Sequence, residues 1–277
     1  MTARPRRPND ASAKRTVGNE GGGASPRRPI VAIAGLGLIG GSLAKALKRA
    51  GYRVIGVDTP VRARAARTAI SERAATVTDA CGRADVLVLA APPATNLRLL
   101  REAARSAADG LVITDVGSAK RAICAEAKRL RLRGFVGGHP MAGRERSGFA
   151  ASSPDLFRGR AWILTPGRPA DAATRTVARL ARAVGARPAV LTPAVHDRVV
   201  AYLSHVPQLV SWAIASAARN DPVARRYLGL AGPGFASMTR LARSPRGWWR
   251  EVLAQNTREV ARARAGLLRE LRLIERG

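Results

Sequence analysis

Each of the three histidines in this chain stands beside other residues that can move protons or bind anions. His139 ends the apolar stretch GFVGGHP, residues 134–140, and leads into the small-residue loop MAGRERSG. Ser118 ends another apolar stretch, in DVGSAK. A single histidine is more often a hydrogen-bonded structural side chain, but a neutral imidazole beside a second polar group is suited to accept a proton near neutral pH. We predict that His139 removes a proton from a substrate hydroxyl group.

A glycine-rich turn separates the apolar stretch at residues 30–34 from a helical stretch. Its glycines follow the GxGxxG order, in which the first allows a tight turn, the second admits a pyrophosphate and the third lets the helix pack against the strand. The start of the helix then offers amide groups and the positive end of a dipole to the phosphates. The predicted cofactor-binding residues are Gly35, Gly37, Leu38, Ile39, Gly40 and Asp58.

Asp58 ends the next apolar stretch, RVIGVD, where a carboxylate accepts hydrogen bonds from the ribose hydroxyls of a dinucleotide. Because the same carboxylate repels a 2′-phosphate, the sequence favours NAD over NADP. Arg62 and Arg64 lie just downstream and leave NADP open, the alternative being that they form only the exposed first turn of a helix.

The second half of the chain contributes further polar side chains, which are Asp197 in the dipeptide HD, His205 and Gln208 in SHVPQ, and Arg240 in GPGFASMTRLA. Arg240 stands among apolar residues, and we expect an apolar environment around it. Such a placement suits a planar guanidinium that binds a carboxylate through two hydrogen bonds. The alternative is an ordinary surface arginine, which is common in a chain with this many.

Short β-rich stretches alternate with helical ones between residues 30 and 192, which predicts parallel strands joined by crossover helices. The candidate strands are residues 30–34, 53–58, 85–92, 111–117, 134–140, 161–166 and 187–192. We therefore expect an α/β fold with a doubly wound, mostly parallel sheet, a Rossmann-type NAD domain, over residues 30–192. Ligands of such sheets lie beyond the carboxyl ends of the strands, where Ser118 and His139 both fall.

Residues 193–277 are predicted to form an all-α dimerisation domain. The stretch PAVHDRVVAYLSHVPQLVSWAIASAA predicts one long buried helix, and residues 245–276 predict a second with apolar residues at helical spacing. A single domain of this size cannot cover so much apolar surface, so we expect a homodimer formed by this half.

Composition excludes several other classes of protein. The formal charge of +29 would by itself favour nucleic acid, but the basic residues are spread through predicted helices without a known nucleic-acid-binding motif, so we expect no specific nucleic acid partner. No apolar stretch is long enough to span a membrane. Cys81 and Cys124 lack CxxC spacing, which favours a reducing cytoplasm and no metal site. Residues 1–29 are predicted to be a disordered leader rich in Arg, Pro and Gly, a transit peptide being the alternative.

The motifs GLGLIGGSLAKAL, DVGSAK, GHPMAGRERSGFAAS, YLSHVPQ and GFASMTRLA occur in the order seen in the prephenate and arogenate dehydrogenase family of tyrosine biosynthesis. The chain resembles that family from residue 30 to about residue 260. The resemblance implies an NAD-dependent oxidative decarboxylation, in which hydride leaves the ring carbon that bears the 4-hydroxyl group and the ring carboxylate departs as CO₂. It also implies the roles of individual residues: His139 as the base, Ser118 orienting it near the nicotinamide, Arg240 binding a substrate carboxylate, and Asp197 and His205 organising the helical wall.

Two departures from the family pattern concern the substrate. Gln208 stands where many relatives have a histidine facing the substrate side chain, and Ala236 stands where many have a basic residue. Since Gln208 can donate to a keto acid or accept from an amine, it favours prephenate only mildly. Arogenate, the use of both substrates, and 4-amino-4-deoxyprephenate stay open as alternatives.

Two competing hypotheses predict different chemistry. A hydroxyacid or 6-phosphogluconate type dehydrogenase also pairs a dinucleotide domain with helices, but those enzymes normally use a lysine in the second part, and residues 193–277 contain none. A dinucleotide-sensing nucleic-acid binder would use the large positive charge, and its binding to DNA would weaken steeply with salt.

Overall fold

The computed structural model describes residues 27–168 and 171–276, so most of the predicted leader lies outside the described residues. Within these ranges eight strands form one sheet: β1 (Val31–Ala34), β2 (Val54–Val57), β3 (Glu72–Arg73), β4 (Val86–Leu89), β5 (Val112–Asp115), β6 (Phe135–Pro140), β7 (Ala161–Pro166) and β8 (Arg187–Val190). Their order across the sheet is β3-β2-β1-β4-β5-β6-β7-β8. Neighbouring strands are parallel except β6 and β7, which confirms the prediction of a mostly parallel sheet. The edge strand β3 was not predicted, because two residues are too short for a recognisable pattern.

Among the described residues six α-helices accompany the sheet: α1 (Leu38–Arg49), α2 (Pro60–Ala65), α3 (Val77–Cys81), α4 (Pro93–Ser106), α5 (Arg121–Arg129) and α6 (Ala172–Ala183). Two apolar clusters, one on each face of the sheet, hold them in place. In β1, Val31 and Ile33 belong to the cluster that includes α1 and α6, while Ala32 and Ala34 belong to the cluster that includes α3, α4 and α5. Successive strand residues point to opposite faces, so strands covered on both sides are apolar throughout, as predicted.

We call residues 27–190 the sheet lobe and residues 193–276 the helical lobe. The helical lobe contains α7 (Pro193–Val200), one π-helical turn (Ala201–His205), α8 (Val206–Asn220), α9 (Pro222–Arg226), α10 (Pro233–Thr239), α11 (Arg246–Gln255) and α12 (Thr257–Ile274). Two 3₁₀ turns, Leu228–Leu230 and Arg240–Arg243, connect the shorter helices. No helix among the described residues is long and apolar enough to cross a membrane.

The rod formed by α7, the π-helical turn and α8 replaces the predicted long buried helix. It is continuous, but the prediction that it is buried is wrong for one of its sides, since Tyr202 and Leu203 are 44% and 71% exposed. One side of the rod packs against α5 and α12. Among the described residues of this rod, Leu203 is the apolar side chain most exposed to solvent.

The prediction of one helix over residues 245–276 is also wrong, because the helix is interrupted at Asn256. The backbone of Asn256 has φ −130° and ψ 29°, outside the helical range. Its side-chain Nδ2 donates to the Asp197 carbonyl at 2.8 Å and lies 3.2 Å from Nδ1 of His205. These bonds tie the interruption between α11 and α12 to α7 and the π-helical turn.

Candidate active site

The glycine turn between β1 and α1 has the shape of a dinucleotide cradle. Gly35 has φ +105°, and a Cβ on it would lie 2.6 Å from the carbonyl carbon of Ala90. A Cβ on Gly40 would lie 1.8 Å from the Gly35 oxygen, so α1 packs directly against the turn. A Cβ on Gly37, by contrast, would meet nothing within 4 Å. The turn is closed where helix and strand touch and open where a pyrophosphate would approach, so these residues fit a dinucleotide.

Asp58, which follows β2, is held by backbone amides at the rim of this cradle. Its Oδ2 accepts from the Leu36 N–H and its Oδ1 from the Thr59 N–H, both at 2.7 Å. The Arg62 guanidinium is 4.0 Å from Oδ1, and its side chain is 66% exposed. The carboxylate is therefore fixed in the position expected for a ribose contact, with a cation nearby.

A row of three buried side chains ends at His139. The Nδ1 atom of His139, on β6, is 2.8 Å from Nε2 of His196, and Nδ1 of His196 is 2.8 Å from Oδ1 of Asp197. Asp197 also accepts from the backbone N–H groups of Lys120 at 2.7 Å and Arg121 at 3.0 Å. The row thus joins α7 of the helical lobe to both β6 and the start of α5. No role was predicted for His196 from sequence; the dipeptide HD at 196–197 was the feature that could have indicated one.

The hydrogen-bond pattern determines where the protons lie in this row. Burial raises the pKa of Asp197, but hydrogen bonds from His196 and the two backbone amides outweigh it, so the pKa is below its usual value. An ionised carboxylate only accepts, so His196 carries its proton on Nδ1 and presents Nε2 as an acceptor. His139 must then donate from Nδ1, which leaves its Nε2 unprotonated. Asp197 therefore selects the His139 tautomer that can accept a substrate proton.

His139 is neutral at physiological pH. Burial lowers its pKa well below the usual value, and the charges of His196, Lys120 and His205 lower it further. Its side chain nevertheless keeps 6% exposure at the carboxyl end of β6. The imidazole is thus available as an acceptor over the whole neutral range, and its protonation requires acid.

Ser118 and His205 lie at the junction of the two lobes. Ser118 is half-buried in the segment between β5 and α5, and its backbone interacts with His205. His205 ends the π-helical turn, and its ring meets Trp249 edge-on at 5.9 Å between centroids. Burial lowers the pKa of His205 to about 4, so this ring is also neutral. The orienting role of Ser118 stays a prediction, since His139 Nδ1 donates its hydrogen bond to His196 Nε2 and not to Ser118.

Arg240 begins a 3₁₀ turn and pairs with Glu145 in the loop that follows β6. Its side chain is 61% exposed, so the prediction of an apolar environment is wrong. The apolar residues near it in sequence, such as Met238, themselves face outward on short helices. The ion pair joins the helical lobe to the loop that follows β6, the strand that contains His139. Glu145 was not singled out from sequence, because one acid among arginines in GRERSG carries no pattern.

Gln208 lies on α8 below the same 3₁₀ turn and is almost fully buried. Its Nε2 donates to the Leu241 carbonyl at 2.8 Å. Since a carbonyl can only accept, this contact fixes the orientation of the amide and leaves Oε1 as the free end. Oε1 has no hydrogen-bond partner within the part of the chain that the structure describes.

Family models and known proteins match most of the described chain. Residues 43–190 match the family model for the prephenate dehydrogenase nucleotide-binding domain, and residues 192–276 match the model for the prephenate dehydrogenase dimerization domain. The chain is 34% identical over 247 residues to the prephenate dehydrogenase of Bacillus subtilis (strain 168), in an alignment covering 84% of this chain and 66% of the relative. It spans about two thirds of the length of that curated relative.

Solved structures resemble the chain over most of its length. The prephenate dehydrogenase from A. aeolicus in complex with hydroxyphenyl propionate and NAD⁺ superposes with a TM-score of 0.83 at 28% identity, covering 91% of each chain. The Synechocystis arogenate dehydrogenase superposes with a TM-score of 0.75 at 28% identity, covering 88% of this chain and 89% of that one.

Proposed function

The chain belongs to the prephenate dehydrogenase family, and we propose that it oxidises prephenate with NAD to 4-hydroxyphenylpyruvate and CO₂. The observation that carries this proposal is the buried row from Asp197 through His196 to His139, which presents an unprotonated Nε2. Because β1, β4, β5 and β6 are parallel, this imidazole and the glycine turn lie at the same carboxyl edge of the sheet. That edge is where a dinucleotide and its substrate meet in a doubly wound fold.

The reaction requires the protein to bind both reactants and to supply one proton acceptor. Bound NAD supplies the acceptor for the hydride. As hydride leaves the ring carbon, positive charge develops on that carbon. His139 Nε2 takes up the proton of the 4-hydroxyl group and so stabilises this charge. Loss of CO₂ then leaves its bonding electrons in the ring, which becomes aromatic, and the phenol oxygen recovers the proton. No net proton is consumed.

A substrate panel tests the proposal. We expect reduction of NAD with prephenate to show the highest kcat/KM among prephenate, arogenate and 4-amino-4-deoxyprephenate, each assayed with NAD and NADP. Asp58 supports NAD as the better cofactor, whereas Arg62 is the side chain through which NADP would be accepted. Absence of cofactor reduction with all three substrates would contradict the proposal.

Arogenate is a second candidate substrate, favoured by Gln208. Its Oε1 is a buried acceptor without a partner among the described residues, and an acceptor at the wall of the site would pair with the ammonium group of arogenate better than with the ketone of prephenate. The likeness to the Synechocystis arogenate dehydrogenase agrees with this alternative. A higher kcat/KM for arogenate in the panel would make it the principal substrate.

Replacement of Arg240 by glutamine is expected to raise the KM for prephenate about 10- to 100-fold with a smaller change in kcat. The reason is that a charge-assisted hydrogen bond to a carboxylate contributes about 1.5–3 kcal/mol to binding. Arg240 is free to turn from Glu145 to a substrate because it is largely exposed. Steady-state kinetics at saturating NAD measure both constants.

The matched control for that substitution is Arg105→Gln, which removes an exposed arginine from the last turn of α4. It should leave KM unchanged, which excludes a general effect of net charge on an anionic substrate. A KM for Arg240→Gln equal to that of the control would show that Arg240 does not bind the carboxylate.

We propose that the active protein is a cytoplasmic homodimer formed by the helical lobe. Four apolar side chains near the end of α12 are 46–75% exposed in the single chain: Leu268, Leu271, Leu273 and Ile274. A second copy would cover them, and the matching family model describes this segment as a dimerization domain. Analytical ultracentrifugation should give twice the mass of the chain, and a monomer at assay concentration would contradict this.

The free thiols of Cys81 and Cys124 support the cytoplasmic location, because they suit a reducing compartment.

A further inference from the structure

An ion pair is buried beneath the candidate active site. Asp115, the last residue of β5, and Lys120, just before α5, bond to each other through Oδ2 and Nζ. Their side chains are 1% and 0% exposed. Removing two charges from water costs several kcal/mol each, and well-packed apolar residues in place of such a pair are often equally or more stabilising. Fold stability alone therefore does not account for this pair.

Both members of the pair bond to the same residue, Gly138. The Gly138 N–H donates to Asp115 Oδ1 at 3.1 Å, and Lys120 Nζ donates to the Gly138 carbonyl at 2.8 Å. These groups belong to the two peptide units on either side of Gly138, the second of which leads directly into His139. A Cβ on Gly138 would lie 2.5 Å from the Asp115 carbonyl oxygen and 3.0 Å from Trp162 Nε1, so the strand has no room to shift on that side.

Lys120 is connected to His139 by a second route. Its backbone N–H donates to Asp197 Oδ1, the oxygen that also accepts from His196. Asp115 Oδ2 in turn accepts from the Gly117 N–H at 2.8 Å, which shapes the turn that carries Lys120. The Lys120 side chain thus bonds to the backbone just before His139. The Lys120 main chain bonds to Asp197, which in turn bonds to His196, the partner of the His139 imidazole.

We propose that Asp115 and Lys120 act as a peptide clamp, a pair of positioning residues that fixes His139 for proton transfer without touching the substrate. In this clamp Lys120 Nζ donates to the Gly138 C=O while Asp115 Oδ1 accepts from the Gly138 N–H, and the ion pair fixes the two groups relative to each other. This inference rests on the proposed function of His139 as the acceptor for the substrate hydroxyl group.

The clamp also affects the charge around the imidazole. The titratable or charged groups that face His139 are His196 on α7, His205 on the π-helical turn and Lys120 beside β6. After burial, these are the causes that lower the pKa of His139. Removal of the lysine charge takes away one of the cations that lower this pKa and leaves the buried Asp115 carboxylate without its partner. The pKa of His139 should then rise, and the acid limb of the kcat profile should move to higher pH.

The test is Lys120→Met, with Lys128→Met, at an exposed position in the last turn of α5, as its control. We expect Lys120→Met to lower kcat about 100-fold, because a misplacement on the order of 1 Å is sufficient for such a loss. The KM for prephenate and the dissociation constant of NAD should stay within about threefold, because neither ligand touches the clamp. The acid limb should move up by about one pH unit. Wild-type kcat and an unmoved acid limb in folded Lys120→Met protein would overturn the proposal.

A double variant addresses the fold. Asp115→Asn with Lys120→Met replaces the ion pair by neutral groups of similar size, a change that buried pairs tolerate better than loss of one partner. It should fold, keep the kcat loss, and return the acid limb toward that of the wild type, since no unbalanced charge remains. Wild-type kcat in this variant, or failure of both variants to fold, would assign the pair to stability and overturn the proposal.

A readout independent of activity separates this inference from the proposed function. The chain has three histidines, so the imidazole of His139 can be followed by NMR titration. Its pKa should be higher in Lys120→Met than in the wild type and in the Lys128→Met control. If the wild type fails to oxidise any substrate of the panel, the proposed function fails while this titration still decides whether the pair acts on His139. An unchanged titration would overturn the clamp.

Discussion

Asparagine in place of His139 is expected to lower kcat by about 10²- to 10⁴-fold and to leave the dissociation constant of NAD nearly unchanged. General base catalysis contributes a factor of this size. The asparagine amide has no basic ring nitrogen, so it cannot take up the hydroxyl proton. The glycine turn that binds the cofactor lies on β1 and α1, three strands away from β6 in the sheet, so NAD binding should not depend on the imidazole. Steady-state assays with prephenate and fluorescence titration with NAD measure the two quantities.

The pH profile gives a second measurement on the same residue. Because the pKa of His139 is lowered, the imidazole is in its active, neutral form throughout the neutral range and becomes protonated only in acid. The wild-type kcat should therefore stay flat through pH 7 and through the usual histidine pKa of about 6.5, and fall only in more acid solution. Normal turnover by His139→Asn protein would remove His139 from the mechanism, whatever the shape of the profile.

Replacement of Asp197 by asparagine is expected to lower kcat on the order of 10³- to 10⁴-fold although Asp197 does not reach the substrate. An asparagine amide can donate to Nδ1 of His196, which moves the His196 proton to Nε2. His139 must then accept at Nδ1 and carry its own proton on Nε2, the nitrogen that has to be free. The tautomer is reversed along the whole row, and the base is lost.

The same substitution tests the junction between the lobes. Asp197 accepts from the backbone of Lys120 and Arg121, so its loss should reduce the free energy of unfolding by about 1–3 kcal/mol. The pKa of Asp197 is lowered by folding, so its contribution to stability is present at neutral pH and disappears as the pH falls through the folded-state value. Urea unfolding at pH 7 measures this loss in the free energy of unfolding separately from kcat.

Asp109→Asn, which neutralises an exposed carboxylate in the turn before β5, is the matched control for Asp197→Asn. It should retain wild-type kcat and stability. If Asp197→Asn protein loses activity only in proportion to the fraction unfolded, the tautomer hypothesis is wrong and Asp197 is solely a link between lobes.

The dinucleotide cradle was predictable from sequence because its requirements are local. Gly35 must adopt a positive φ, and Gly40 must leave room for the preceding turn, and both conditions are set by residues within one strand–turn–helix unit. The strands were predictable for a similar reason, since burial on both faces requires apolar residues at every position. The antiparallel direction of β7 could not be derived in this way, because the residue pattern of a buried strand is the same in both directions.

The candidate site was predictable as a set of residues but not as an arrangement. His139, Asp197 and Gln208 were each singled out by type or by resemblance, while the contact of His196 with His139 spans 57 positions of the chain. The interruption of the last helix at Asn256 likewise coincides with bonds to Asp197 and His205, which are distant in sequence. The prediction of an apolar environment for Arg240 failed because neighbours in sequence are not neighbours in space on short, outward-facing helices.

The sheet lobe, the cradle and the types of the polar groups follow from residue patterns along the chain, because local backbone geometry and the periodicity of apolar residues act over a few positions at a time. The free imidazole nitrogen, the pairing of Glu145 with Arg240, and the two bonds from Asp115 and Lys120 to Gly138 depend on how the segments pack. Hydrogen bonds have a direction and a range of about 3 Å, so they exist only once distant segments are packed together.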